Sequence, residues 1–231
     1  KKRILDLQKK INLKEVQQVP LQENTNPLNL FIMKKIIILC VVAMFTTLGY
    51  AKPKSIEIVS GSGKIFLDHT KTTTFIFDYD SCYVGEISKG VLKEGALLFE
   101  EYIASEDKES GETWAPMHEF AYEKFVKNWN VMNRKRALLV SDSDNPNYRT
   151  IFHVLCMDLG STAAAYFGFG DGGCVTLMGE IEVFDWKTNE KLATYKVNQI
   201  VGAGNVIPTL RMWNAYMELL GDFTRLNMKS K

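Results

Sequence analysis

Groups that carry enzyme chemistry are scarce in this chain. There are three histidines and four cysteines in 231 residues, and none of His69, His118 and His153 stands at a zinc-ligand spacing from another His or Cys. No G-x-S-x-G nucleophile elbow occurs. The one match to a dinucleotide fingerprint, Gly168-Phe169-Gly170-Asp171-Gly172-Gly173, runs into a strand-like segment from Val175 where a phosphate site needs a helix, so it reads as a hairpin loop. Asp142-Ser143-Asp144 and Asp78-Tyr79-Asp80 set carboxylates two apart but lack the glycine and terminal glutamate of a calcium loop, and turn-forming Asp and Asn explain the first. Positive charge is not clustered either, beyond Arg134-Lys135-Arg136. Nucleic acid and anionic surfaces are therefore excluded as partners. No catalytic, cofactor-binding or metal-ligating residue is assigned, and no cofactor is expected.

What is present first is an address. Met33, the basic Lys34-Lys35, the apolar run Ile36–Leu48 and the small-residue exit Gly49-Tyr50-Ala51 have the order of a secretory signal peptide. Residues 33–51 are read as that signal, cleaved after Ala51, with a periplasmic or secreted product. The alternative is a retained anchor, but a span needs about 20 apolar residues and this run is shorter. Cys40 lies inside the apolar run, without the small residues that precede a lipoprotein cysteine. Residues 1–32 carry no apolar periodicity and read as an upstream extension outside the native protein; if native, they would favour an anchor with a basic tail. Without residues 1–51 the chain holds 20 basic and 24 acidic residues, so a net charge of +1 becomes −4.

Residues 52–231 are long enough for one domain with a core of its own. Cys82, Cys156 and Cys174 are too few for a disulfide scaffold; a Cys156–Cys174 bridge and buried thiols are the two readings. Strands are expected at Ile56–Ser60, Lys64–Asp68 and Thr72–Asp78, then a helix over Val91–Ser105 and a loop at Asp107–Thr113. A second helix, Ala115–Met132, shows an apolar stripe of Met117, Phe120, Ala121, Phe125, Trp129 and Met132. Ala137–Val140 and Tyr148–Asp158 read as central strands covered on both faces. In the latter, His153 reads as a core histidine, and its spacing of three from Cys156 predicts opposite faces. Val175–Trp186 and Leu192–Val201 form a hairpin across Lys187-Thr188-Asn189, and a last helix spans Pro208–Leu226. The sum is an α+β domain: a mostly antiparallel or mixed sheet with helices on at least one face.

The hairpin Gly179-Glu180-Ile181-Glu182-Val183-Phe184-Asp185-Trp186-Lys187-Thr188-Asn189-Glu190, with the Gly202-Ala203-Gly204 turn and the aromatic final helix, resembles uncharacterised exported bacterial envelope proteins, themselves similar to the α/β domain of curli-secretion-type lipoproteins. The resemblance implies an envelope location and supplies no catalytic residues. A ligand site, if there is one, is expected at the carboxylates and aromatics Asp78, Tyr79, Asp80, Tyr83, Glu86 and Trp114, joined by Glu100 and Glu101. Two function classes follow. The first is a non-enzymatic envelope module that assembles with another envelope protein; the second is a glycan binder or carboxylate-dependent hydrolase. Membrane contact is expected only through an uncleaved leader.

Overall fold

The computed structural model describes residues 54–106, 113–134, 138–141, 144–167 and 173–229; all of them fall in one compact unit, Pro53–Lys231. The expected leader, the upstream extension, Asp107–Glu112 and Gly168–Gly172 lie outside these residues. The elements are β1 (Ile56–Gly61), a 3-10 turn (Gly63–Leu67), β2 (Thr72–Asp78), β3 (Tyr83–Val84), β4 (Ile87–Ser88), β5 (Val91–Leu92), β6 (Leu97–Leu98), α1 (Phe99–Ser105), α2 (Trp114–Asn133), β7 (Leu139–Val140), β8 (Tyr148–Asp158), α3 (Thr162–Phe167), β9 (Thr176–Asp185), β10 (Lys191–Val201) and α4 (Pro208–Met228).

The main sheet runs β1-β10-β9-β8-β2-β7, with β3 beside the end of β8 and β6 on β3. It is mixed. The β1/β10, β10/β9, β9/β8 and β3/β6 pairs are antiparallel, whereas β2/β8, β2/β7 and β3/β8 are parallel. Alternation selects one face for the core: Phe75, Phe152, Val154, Leu177, Ile181, Val183, Ala193, Tyr195 and Val197 are all buried. Against that face pack α2 and α4, through Met117, Ala121, Phe125 and Trp129 of one and Met212, Ala215, Tyr216, Leu219, Leu220 and Phe223 of the other. This is the α+β layer that the periodicities predict.

Several local expectations fail for identifiable reasons. Lys64–Asp68 is a 3-10 turn, started by the Ser62 hydroxyl, which accepts from Lys64 N, and pinned by buried Phe66. The helix expected over Val91–Ser105 shrinks to α1, because Gly90 (φ +75°) and Gly95 (φ +86°) take left-handed conformations that break it upstream. Leu97 and Leu98, expected on its buried side, are exposed in β6. On α2 the stripe ends in buried Asn133, four residues after Trp129, while Met132 faces outward. Ala137–Val140 is not central. Its described part is the short edge strand β7, where the Asn130 amide replaces a neighbouring strand by donating to Val140 O and accepting from Val140 N, both at 2.8 Å.

The central position of β8 is correct, yet only one of its faces is covered. Leu155 is exposed, and Ile151 and His153 are partly so. A bulge between Val154 and Cys156 adds one residue opposite β9. Because side-chain direction alternates, that residue restores Cys156 to the face of His153, which corrects the opposite-face expectation. The disulfide question is answered directly: Cys82, Cys156 and Cys174 are all free thiols, with Cys156 opposite Met178 in the ladder and Cys174 ahead of β9.

Candidate functional site

The sequence candidates divide among three places. Asp78 ends β2 on the uncovered sheet face, where its Oδ2 lies 2.6 Å from His153 Nδ1 and its Oδ1 accepts from Asp80 N at 3.1 Å. His153 is therefore a surface histidine satisfied by a carboxylate and not a core one, and its Nε2 lies 3.5 Å from Glu182 Oε2. Register extends this row across the sheet: Asp78 pairs with His153, His153 with Glu180, Glu180 with Lys196, and Lys196 with Glu57. The carboxylates of Asp78, Glu180 and Glu57 alternate along it with His153 and Lys196.

Tyr79 and Trp114 point the other way, into the layer between sheet and helices. Tyr79 OH lies 2.6 Å from Tyr216 OH, and Tyr216 OH lies 2.6 Å from His118 Nδ1. Trp114 stacks on the His118 ring at 4.4 Å and 10° and meets Tyr79 and Phe99 edge-on at 4.9 Å. Burial pushes both phenols well above their ordinary range and pulls His118 down to about 4. With His118 neutral, the direction of the chain follows the tautomer: Tyr79 to Tyr216 to Nδ1, or the reverse. Replacing Tyr216 with Phe removes the middle link and leaves only the longer Tyr79 OH–His118 Nδ1 contact at 3.4 Å, so a loss of about 0.5–1.5 kcal/mol is expected in urea unfolding; a loss below a few tenths would show that this contact or water replaces the link.

Glu86 and Tyr83 stand apart from both places. Glu86 pairs with Lys93 at the surface and lines an open cleft of about 730 Å³ with Tyr102, Asp158, Ser161, Thr176 and Gln199. Asp158 is engaged there by Ile87 N at 2.9 Å and Gly160 N at 2.8 Å. Tyr83 is exposed on β3. A second cleft, about 450 Å³, brings Asp78, Tyr79 and Asp80 together with Phe99 and Glu100. Neither Trp114 nor Glu101 lines it.

Nucleophilic chemistry finds no support in the thiols. Burial pushes Cys82 up to about 12, with Cys156 nearby adding to the rise, and burial raises Cys156 as well. Thiols held protonated in this way are poor nucleophiles. Among the described residues no group of three or more His, Cys, Asp and Glu side chains is placed to hold a metal.

A different feature of this face follows from the uncovered strands. Ile76 and Ile151 are register partners on β2 and β8, Leu155 continues that row, and Tyr83 pairs with both Cys156 and Leu98. Ile76, Leu155, Tyr83 and Leu98 are each 40–46% exposed. They form two apolar patches, Ile76 with Ile151 and Leu155 with Tyr83 and Leu98, on either side of the Asp78–His153 pair. The sequence signal for them is the weak alternation of Tyr148–Asp158, in which apolar residues stand on both faces.

No family model and no curated protein matches the chain. Among solved structures it is similar to the PelC dodecamer from Paraburkholderia phytofirmans in one crystal form, at 10% identity and a TM-score of 0.34, covering 71% of this chain and 96% of that one. A variant of the same PelC in a second crystal form gives 9% identity and 0.33, covering 72% and 95%. A likeness this distant fixes neither fold nor function.

Proposed function

We propose that the chain is an exported, envelope-associated protein that works without catalysis, as a module docking another envelope protein onto the uncovered face of its sheet. The observation that carries this reading is the pair of exposed apolar patches, Ile76 with Ile151 and Leu155 with Tyr83 and Leu98, flanking the Asp78–His153 pair. Apolar patches interleaved with polar groups match the mixed composition of a non-obligate protein interface. The order of Met33 to Ala51 and the hairpin's resemblance to exported envelope proteins support the location.

Photo-crosslinkers placed at Leu155 and Ile76 in growing cells should give a discrete adduct, whereas one at Glu119, exposed on α2, should give none. Leu155→Arg should reduce the adduct formed from position 76 by at least about tenfold, because a charge inserted into a desolvated contact costs several kcal/mol. Equal labelling from both faces, or an intact chain in the soluble cytosol with its leader uncut, would sink the reading. The second reading, glycan recognition, is favoured by the cleft that collects Asp78, Asp80 and Glu100 around Phe99. It requires saturable oligosaccharide binding in calorimetry that Asp80→Asn and Glu100→Gln weaken while Leu155→Arg does not.

A further inference from the structure

The two ends of the β8–β9–β10 ladder differ in chemistry. At one end the β9–β10 turn carries Asp185, Lys187, Glu190 and Lys191. At the other end β8 leaves the sheet, β9 begins and β10 runs out toward α4. There, Leu159–Val175 and Gly202–Leu210 together contain a single charged residue, Asp171, in a chain that is 24% charged. The described parts of these connections expose large apolar side chains: Tyr166 at 75%, Phe167 at 66%, Ile207 at 51% and Val206 at 44%.

Folding does not account for that exposure. Helix α3 has no buried residue, and its two rings meet each other edge to face at 5.4 Å. The described parts of these connections are held in place. A β-carbon at Gly173 would lie 2.5 Å from Ala165 Cα, so the chain after the glycine-rich stretch is pressed against α3, and a β-carbon at Gly204 would sit 3.3 Å from Gly173 O. Arg211, buried at the start of α4, donates from Nη1 to Thr162 Oγ1 and to Asn205 O, both at 3.1 Å, and so ties α3 to the β10–α4 connection. The apolar tips are thus presented on a fixed base and lose little freedom on binding.

We propose that this end of the domain inserts into the interfacial layer of a lipid bilayer, with Tyr166, Phe167, Val206 and Ile207 at the boundary between headgroups and acyl chains. The occupant follows from the chemistry. Tyrosine and phenylalanine beside aliphatic residues, on connection tips that carry no lysine, arginine or glutamate, match the region where amphipathic rings settle and buried charge is costly. The contact is peripheral, since among the described residues no helix is long and apolar enough to cross a membrane. It uses a surface other than the sheet patches, and it adds a membrane contact to the leader-only one expected from the sequence.

The full chain includes the apolar run Ile36–Leu48, which would bind vesicles by itself, so the readout must be positional. An environment-sensitive fluorescent amino acid is placed at Tyr166, at Ile207, or at Lys187 on the opposite end. The chain is then mixed with vesicles of phosphatidylethanolamine and phosphatidylglycerol carrying brominated acyl chains. A blue shift with quenching at 166 and 207, at least roughly fivefold stronger than at 187, is expected for interfacial insertion. With the probe at 166, the double substitution Val206→Asp and Ile207→Asp should abolish the quenching while circular dichroism stays unchanged. Equal quenching at the two ends, or none at 166, overturns the proposal. A blue shift at 166 that grows with protein concentration in the absence of vesicles assigns the tips to a second copy of the chain and overturns it too.

Discussion

Trp129→Ala should cost about 4–6 kcal/mol of unfolding free energy, enough to leave a domain of ordinary stability, 5–15 kcal/mol, barely folded. Trp129 lies within 5.6–6.5 Å, ring centre to ring centre, of Phe75, Phe125, Phe223 and Phe66. It therefore joins β2, α2, α4 and the 3-10 turn in one contact set. Removing a buried indole loses transfer free energy and leaves a cavity, about 3–5 kcal/mol together. The Nε1 hydrogen also donates to Leu138 O at 2.7 Å, and orphaning that buried carbonyl adds about 1–3 kcal/mol, partly offset by water entering the cavity. Trp129→Phe separates the two contributions, because it keeps most of the packing and loses only the bond. Urea unfolding of both variants decides the matter. A loss under about 2 kcal/mol for the alanine variant would mean that this aromatic set is not the centre of the core.

How much of this was legible in the sequence depended on whether a feature was periodic. The β9–β10 hairpin and α4 were readable almost to the residue, because alternation in Val175–Trp186 and three- and four-residue steps in Pro208–Leu226 reflect one buried face each. Where glycines set backbone conformation the pattern misled: Leu92, Leu97 and Leu98 have helical spacing, but Gly90 and Gly95 at positive φ place them in short strands. Nothing in a period-two pattern announces a bulge, so the shared face of His153 and Cys156 was invisible before the pairing with β9 was known. The largely apolar run Ile151–Met157 of β8, interrupted by His153, was the ambiguous case. Such a run occurs in strands covered on both faces, and equally in a strand whose second face presents Ile151 and Leu155 to a partner.

The candidate site was only half legible for a related reason. Asp78, Tyr79 and Asp80 are consecutive, yet strand alternation sends Asp78 outward to His153 and Tyr79 inward to Tyr216. Proximity in sequence therefore joined two groups that the fold separates. The signal that could have found the inner group was on α2. Trp114, His118 and Tyr122 recur at steps of four, and their rings stack in series, Trp114 on His118 and His118 on Tyr122 at 5.9 Å. That second stripe runs beside the apolar one. Its polar ends reach Tyr216 OH and, from Tyr122 OH, the carbonyl of Phe75 at 2.9 Å. Tyr216 itself had been assigned only to packing.

Acidification should destabilise the domain through that second stripe before the carboxylates are protonated. His118 titrates near 4 when folded because burial disfavours its cation, against an ordinary value of 6.5. The unfolded chain therefore binds the proton more readily, so stability is level above about pH 6.5 and falls as pH drops from there toward 4, by about 3 kcal/mol at the end of that window. His118→Gln keeps a polar partner for Tyr216 but cannot titrate, so its stability should be lower at pH 7 and nearly flat between pH 7 and 5, where the parent chain declines. Glutamate and aspartate begin to contribute only below about pH 5, so the upper half of the window isolates the imidazole. Unfolding curves for the two chains that run parallel from pH 7 to 5 would show that His118 takes up its proton at the same pH in the folded and unfolded chain, and the buried neutral imidazole would then be wrong.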